Sequence, residues 1–131
     1  MAVSAAKAPS KGRVFTYGRG PHSFGNHVQL AIQAHDMTVE ECRLMRAIVS
    51  SNSTNSPSYQ LGRACGVFLQ GYEEPYPSDP RGGWVLVEFW CDPVEREDAV
   101  RAFVDHVNAE FARMEAARAK ETARSKKRRR S

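Results

Sequence analysis

Residues 84–107 read WVLVEFWCDPVEREDAVRAFVDHV, and the period of their apolar residues changes partway along this stretch. The odd-numbered residues from 85 to 91 are all apolar, while the even-numbered ones are Trp, Leu, Glu and Trp. This alternation predicts a strand with one buried face and one mixed face. From Val100 onward the apolar residues recur every three or four positions, which predicts an amphipathic helix.

The helix after this strand is the longest element that the sequence predicts. Asp92 as N-cap, Pro93 at the first helical position and Glu95 at the third indicate its start. Its apolar stripe consists of Val100, Phe103, Val104, Val107, Phe111 and Met114. Beyond residue 114 a continuing helix has no apolar face, and we expect residues 126–130 to be solvated and mobile.

Two shorter helices are predicted upstream. Thr38 and Glu41 form the pattern of a capping box, which opens a helix that ends near Ser50. The pair Ser56-Pro57 supplies an N-cap and a first helical residue for the second helix, and Gly66 ends it.

The remaining elements complete a small sheet. Val67–Tyr72 predicts a strand that forms a hairpin with Trp84–Cys91, and the loop between them is rich in proline and glycine. Gly12–Tyr17 predicts an N-terminal strand and His27–Ala34 a further short helix. The expected order is therefore β, α, α, α, β, β, α. Such an order indicates an α+β fold in which helices pack on one face of a small antiparallel sheet.

The domain organisation follows from composition. A chain of 131 residues is about the size of one domain. We expect a disordered N-terminal leader at residues 1–11, a single α+β domain at 12–114 and a basic C-terminal tail at 115–131. No apolar run is long enough to cross a membrane, and residues 1–10 lack the apolar core of a secretory signal. We therefore expect a reducing compartment in which Cys42, Cys65 and Cys91 stay as thiols.

No catalytic constellation is visible in the sequence. The four histidines have no metal-binding spacing, and Cys42 and Cys65 fall on apolar helical positions, which is typical of buried packing residues. The glycines at 18 and 20 lack the Lys-Ser/Thr pair of a phosphate-binding loop. We expect neither enzymatic activity nor a cofactor, a metal ion or a small-molecule substrate.

Charge is segregated along the chain. Residues 1–35 carry four basic residues and no acid, and residues 113–131 carry nine basic residues against two acids. Residues 36–112 hold six basic residues against thirteen acids. Basic ends on an acidic body favour a polyanionic partner such as RNA or DNA. A solubilising tail is the alternative.

The candidate RNA-binding residues are the cations near the predicted strands and those at the C-terminus. Lys11, Arg13 and Arg19 surround the first predicted strand, Arg81 precedes another, and aromatic residues alternate with them. The full set comprises Lys11, Arg13, Arg19, Arg81, Lys126, Lys127, Arg128, Arg129 and Arg130.

The mixed face of the strand at 84–91 predicts a protein contact. Trp84, Leu86 and Trp90 would promote association if a monomer exposed them. We therefore expect a homodimer, joined through this strand or through the long helix.

The order of motifs resembles a family, the plant tombusvirus suppressors of RNA silencing. The resemblance lies in Gly12-Arg13-Val14-Phe15, in Ser56-x-x-Tyr59-x-x-x-Arg63-x-x-Gly66, and in Arg81-Gly82 leading into a strand and a final helix. It covers roughly residues 12–110. It implies a viral dimer that binds double-stranded RNA through phosphates and 2′-hydroxyls, with Arg13 and Arg81 at backbone-contacting positions.

One part of that family's pattern is missing. The family stacks two tryptophans of an N-terminal helix on the duplex ends, whereas residues 1–11 contain no aromatic residue. The chain is more similar to the shorter aureusvirus suppressors, which implies binding of both small interfering and longer duplexes. The implied location is the host cytoplasm, and residues 126–130 also resemble a signal for import into the nucleus.

Two other functions fit the same sequence. A protein–protein adaptor would dock a partner on the mixed strand face and use the basic tail for nuclear import. A small binder of single-stranded nucleic acid would prefer unpaired substrate. Duplex RNA sequestration is the function that we expect.

Overall fold

The computed structural model describes residues 13–78 and 82–130, with side chains as far as residue 127. In these residues the chain forms four strands and three helices. In chain order they are β1 (Gly18–Arg19), β2 (Leu30–Met37), α1 (Val39–Val49), α2 (Pro57–Cys65), β3 (Val67–Glu73), β4 (Gly83–Phe89) and α3 (Glu97–Arg130). The predicted α+β class is confirmed.

The strands form one antiparallel sheet in the order β1-β2-β4-β3. Phe89 of β4 pairs with Leu30 of β2 on one side and with Val67 of β3 on the other, so β4 lies inside the sheet. Its buried residues Val85, Val87 and Phe89 are at most 1% exposed. The apolar alternation that predicted this strand therefore marks the face that the helices cover.

The core lies between that face and the three helices. The predicted stripe of α3 is buried from Val100 to Phe111, and Met114 packs against the core at its edge. Phe103 of α3 meets Phe89 of β4 edge to face, with ring centroids 5.9 Å apart. Burial of such side chains contributes roughly 1.5–3 kcal/mol each relative to full exposure.

Local signals place the ends of α1 and α2 as the sequence predicts. At the start of α1, Thr38 and Glu41 form both hydrogen bonds of the capping box. At the start of α2, Ser56 accepts a hydrogen bond from the backbone N–H of Tyr59. Gly66 ends α2 with φ of 60°, a left-handed conformation that favours glycine.

The predicted short helix at His27–Ala34 is wrong. Residues 30–37 form strand β2, which pairs with β4 along most of its length. Leu30, Ile32 and Ala34 point into the core, but Ala31 is also buried, so the stretch lacks a clear alternation. The pairing with a strand more than fifty residues away decides the structure here.

The predicted strand at Gly12–Tyr17 is also wrong in position. Residues 13–17 are not part of a strand, and Gly12 lies outside the described residues. The first strand, β1, comprises the next two residues, Gly18–Arg19. The backbone N–H and carbonyl of Phe15 instead both form hydrogen bonds with one side chain of α3, that of Asn108. Its N–H donates to Oδ1 of Asn108 at 2.7 Å, and its carbonyl accepts from Nδ2 at 3.1 Å. A side-chain amide thus replaces a partner strand.

The start of α3 differs from the prediction. Asp92 accepts hydrogen bonds from the N–H groups of Val94 and Glu95, but they close a separate turn, and the helix begins at Glu97. At the other end α3 continues past Met114 through Arg130, a continuation that the sequence allowed but that has no apolar face.

Candidate nucleic-acid interface

Arg13 is held by three contacts to the protein itself. Its Nε lies 3.3 Å from Oε2 of Glu41, and its two terminal nitrogens donate to the carbonyls of His35 and Asp36 at 3.3 and 2.9 Å. The guanidinium also lies 5.9 Å from the ring centroid of Phe15. The Arg13 side chain is only 22% exposed. A phosphate that bound it would therefore compete with the contacts that Arg13 already makes within the protein.

These contacts stabilise an irregular end of β2. The pairing with β4 shifts register between Ala34 and Met37, and Asp36 adopts φ of 55°, which is uncommon for a residue other than glycine. Arg13 binds the carbonyls of His35 and Asp36, which lie within this irregularity. We therefore interpret the main role of Arg13 as structural.

Arg81 lies outside the described residues, but its neighbour in the chain does not. Gly82 packs against the backbone of Asp36 so closely that a Cβ at this position would clash with it. Arg13 and the chain next to Arg81 therefore meet at the same end of β2. The sequence could not predict this proximity, because the contact depends on how the long loop folds back.

Arg19 lies at the other end of β2. It pairs in register with Leu30, is exposed, and donates to the carbonyl of Gly25 at 3.3 Å. Leu30 and Asp36 are six positions apart along β2, which corresponds to at most about 20 Å. The predicted cations Arg13 and Arg19 thus flank the sheet instead of forming one cluster.

The C-terminal cations lie on α3. Lys126 and Lys127 are exposed on this helix, and residues 128–130 continue it, with side chains that are not described. Lys11 lies outside the described residues. The described part of the predicted set therefore falls on three separate places: the two ends of β2 and the last turns of α3.

The sheet face away from the helices is open and aromatic. Phe68 of β3 is 49% exposed, Trp84 of β4 is 36% exposed, and Leu86 between them is partly buried. Trp84 lies over Gly71, where a Cβ would be 2.5 Å from Cζ3 of the indole. We call the residues with side chains on this side the open face; its charged members in β3 and β4 are Glu73 and Glu88, and none is Lys or Arg.

Glu88 is the open-face residue whose environment the sequence did not predict. It is fully buried, although it lies on the side of β4 that faces away from the helices. Its Oε2 contacts Nδ1 of His22, while its Oε1 is buried without a hydrogen-bond partner. Alternation alone placed Glu88 on a solvent-facing or partner-facing side, and no local signal marks His22 as its partner.

Ser58 and His106 form a contact of the kind that a nucleophile and its base would make. Oγ of Ser58 lies 2.7 Å from Nε2 of His106, which joins α2 to α3. A serine nucleophile also requires a group that orients the histidine and donors for an oxyanion. The ring contact between His106 and Phe103 supplies neither. We interpret the pair as a link between two helices.

The cysteines lie where packing residues are expected. Burial raises the pKa of Cys42 to about 11 and the pKa of Cys65 to about 12, so both thiols stay protonated at neutral pH. Across residues 13–78 and 82–127, no three His, Cys, Asp or Glu side chains are grouped to hold a metal ion. None of the described helices is long and apolar enough to span a membrane.

Comparison of the chain with protein-family models, with curated proteins and with solved structures returned no match. The resemblance to tombusvirus suppressors rests on the motifs alone and stays a prediction.

Proposed function

We propose that this chain binds double-stranded RNA through the phosphate backbone and the 2′-hydroxyls, without sequence specificity. The observation that carries the proposal is the separation of charge. Nine of the nineteen basic residues lie in the last nineteen residues, and the fold presents most of that segment as an exposed helix. A helix of this charge that covers little of the core is well suited to a polyanion.

The body of the protein adds two further cations. Arg19 lies at one end of β2, and Arg81 precedes the residue that packs on the other end. A-form RNA exposes phosphates and 2′-hydroxyls across a wide, shallow minor groove, so contacts at separate points suit recognition by shape. In the proposed complex these arginines orient the duplex, and the C-terminal helix adds affinity.

The biological role that follows is suppression of RNA silencing by sequestration of duplex RNA in the host cytoplasm. This step rests on the family resemblance of residues 12–110. The resemblance to the shorter aureusvirus suppressors favours binding of short and long duplexes alike. We also propose that it acts as a homodimer in which a second copy covers the open face.

A mobility-shift titration tests the proposed ligand. The substrates are an RNA duplex of about 21 base pairs, a longer RNA duplex, the same sequences as DNA, and single-stranded RNA, at about 50 and 200 mM salt. We expect tight binding of both RNA duplexes and much weaker binding of the others. Equal weak binding of all substrates that vanishes at the higher salt would contradict the proposal.

A matched pair of variants tests the orienting arginines. Changing both Arg19 and Arg81 to Gln should weaken duplex binding about tenfold and reduce the salt slope by about 2. The control changes Arg43 and Arg101 to Gln, because these arginines are exposed and already pair with Glu74 and Glu97. Arg13 is unsuitable as a probe, since its loss also disturbs β2.

A protein–protein adaptor is the second candidate, and the open face favours it. Phe68 and Trp84 are exposed there with no Lys or Arg beside them in the described strands, which suits an apolar protein partner better than phosphate. In this reading the residues at 126–130 direct nuclear import. An adaptor should be insensitive to the loss of Arg19 and Arg81.

A further inference from the structure

Helix α3 extends well beyond the core. Its last buried residue is Phe111, and the helix continues for nineteen residues to Arg130, a distance of about 28 Å. Most side chains described after Phe111 are exposed, and those that keep partial burial are Met114, Glu115, Arg118 and Ser125. This part of α3 is therefore a basic arm with little packing of its own.

One row of residues identifies the side of the arm that faces the body. Phe111, Arg118 and Ser125 are spaced by seven, so they lie on one face of the helix. Phe111 is in the core, and Nη2 of Arg118 lies 2.9 Å from Oε1 of Glu40 on α1. All three residues are buried or partly buried, in agreement with that placement.

A second row carries only cations. Arg113, Lys120 and Lys127 are also spaced by seven, and Arg124 lies one turn from both lysines. This row starts two residues after Phe111, so it is turned by about 200° around the helix axis and points away from the body. All four side chains are exposed. We call these four residues the basic stripe; it is about 21 Å long.

We propose that the basic stripe, rather than the C-terminal cations as a whole, is the surface of the arm that binds the phosphate backbone of duplex RNA. This inference rests on the proposed function and assigns the contact to one face of α3. RNA places phosphates at short, regular intervals, which a row of cations one or two turns apart can follow.

The electrostatics of the basic stripe favour the replacement of its carboxylate partners by RNA phosphates. Lys120, Arg124 and Lys127 are like charges three and four residues apart on one helix face, an arrangement that destabilises the free helix. Two ion pairs of the stripe, from Arg113 to Glu110 and from Arg124 to Glu121, are exposed and lie within the helix. Exposed pairs contribute little, so phosphates can replace them and also relieve the repulsion.

The test compares two double variants that remove the same charge from the same helix. The stripe variant changes Lys120 and Lys127 to Gln. The control changes Arg118 and Lys126 to Gln, which lie outside the stripe. Because Arg118 contacts Glu40, the unfolding midpoint of each variant is measured first. The single changes Lys127→Gln and Lys126→Gln provide a second comparison, between neighbours of identical chemistry.

We expect the stripe variant to bind duplex RNA about tenfold more weakly, with a salt slope reduced by about 2, and the control to change affinity about twofold or less. Equal losses in the two variants would overturn the stripe while leaving RNA binding intact. If the unmodified chain fails to bind duplex RNA, the proposed function fails with it. Stripe-dependent retention on heparin without duplex binding would identify a different polyanion and reject the RNA assignment.

Discussion

Arg13 and Glu41 form an ion pair that joins the segment before β1 to the first turn of α1. Nε of Arg13 lies 3.3 Å from Oε2 of Glu41, and the carboxylate is only 2% exposed. Oε1 of the same carboxylate accepts the N–H of Thr38 at 2.9 Å. Glu41 therefore closes the capping box with one oxygen and holds Arg13 with the other.

The first prediction concerns the loss of this pair. Arg13→Ala should lower the free energy of unfolding by about 1–3 kcal/mol, because Glu41 becomes a buried charge without its cation and two carbonyls of β2 lose a donor. Urea unfolding measures this change. Arg19→Ala is the control, since Arg19 is exposed, and should stay within about 0.5 kcal/mol. Equal stability of the two variants would contradict a structural role for Arg13.

The sequence predicted the elements whose signals are local. Thr38 marks the start of α1 through its contacts with Glu41, and Ser56 marks the start of α2 through its contact with Tyr59. Each contact joins residues three apart. The strand at 84–91 and the stripe of α3 follow from apolar period alone. Such signals need no knowledge of the rest of the chain, and α1, α2, β4 and the buried face of α3 agree with the structure.

The features that the sequence did not predict depend on contacts between residues that are far apart in the chain. Strand β2 contains Ala31 on the face opposite Ile32, and both are buried, so its pattern resembles that of a short helix. Arg13 was predicted as an RNA contact, and no local pattern marks its structural pairing with Glu41, 28 residues away. Likewise, the buried Glu88 contacts His22, which lies 66 residues earlier in the chain.

The second prediction concerns the open face and the proposed homodimer. Phe68→Asp should convert a dimer into a monomer, because a carboxylate at the centre of a self-complementary apolar contact has no partner. Sedimentation equilibrium measures the mass. Val94→Asp is the control: Val94 is 89% exposed but lies outside the sheet, and its change should leave the mass unaltered. If the unmodified protein has the mass of a monomer, the proposed dimer is contradicted, and the open face would then be available to a different partner.

The third prediction concerns pH. Burial raises the pKa of Cys42 to about 11 and that of Cys65 to about 12, whereas these thiols titrate near 8.5 when unfolded. Below about pH 8 both states are protonated and the full stability is present. As pH rises, the unfolded state loses its protons first, so stability should fall between about pH 9 and 12. Each thiol contributes at most about 1.4 kcal/mol per pH unit.

A cysteine variant isolates this contribution. Cys65→Ala should reduce the alkaline slope of the unfolding free energy by about 1.4 kcal/mol per pH unit between about pH 9.5 and 11, whatever the variant's stability at pH 7. Cys91→Ala should change the slope less, because Cys91 is only partly buried. An unchanged slope in Cys65→Ala would mean that Cys65 is accessible to solvent in the native state.

The last prediction concerns His22 and Glu88. His22→Ala removes the described partner of Oε2, while Oε1 is already without one, so the buried carboxylate should cost about 1–3 kcal/mol of stability. Glu88→Met removes the buried carboxylate and should be neutral or stabilising. In the double variant the carboxylate is already absent, so His22→Ala should cost little stability there. The effects of the two changes on the free energy of unfolding should therefore be non-additive by about 1–2 kcal/mol. Unfolding of the four proteins measures this coupling, and additive effects would mean that the side chains act independently.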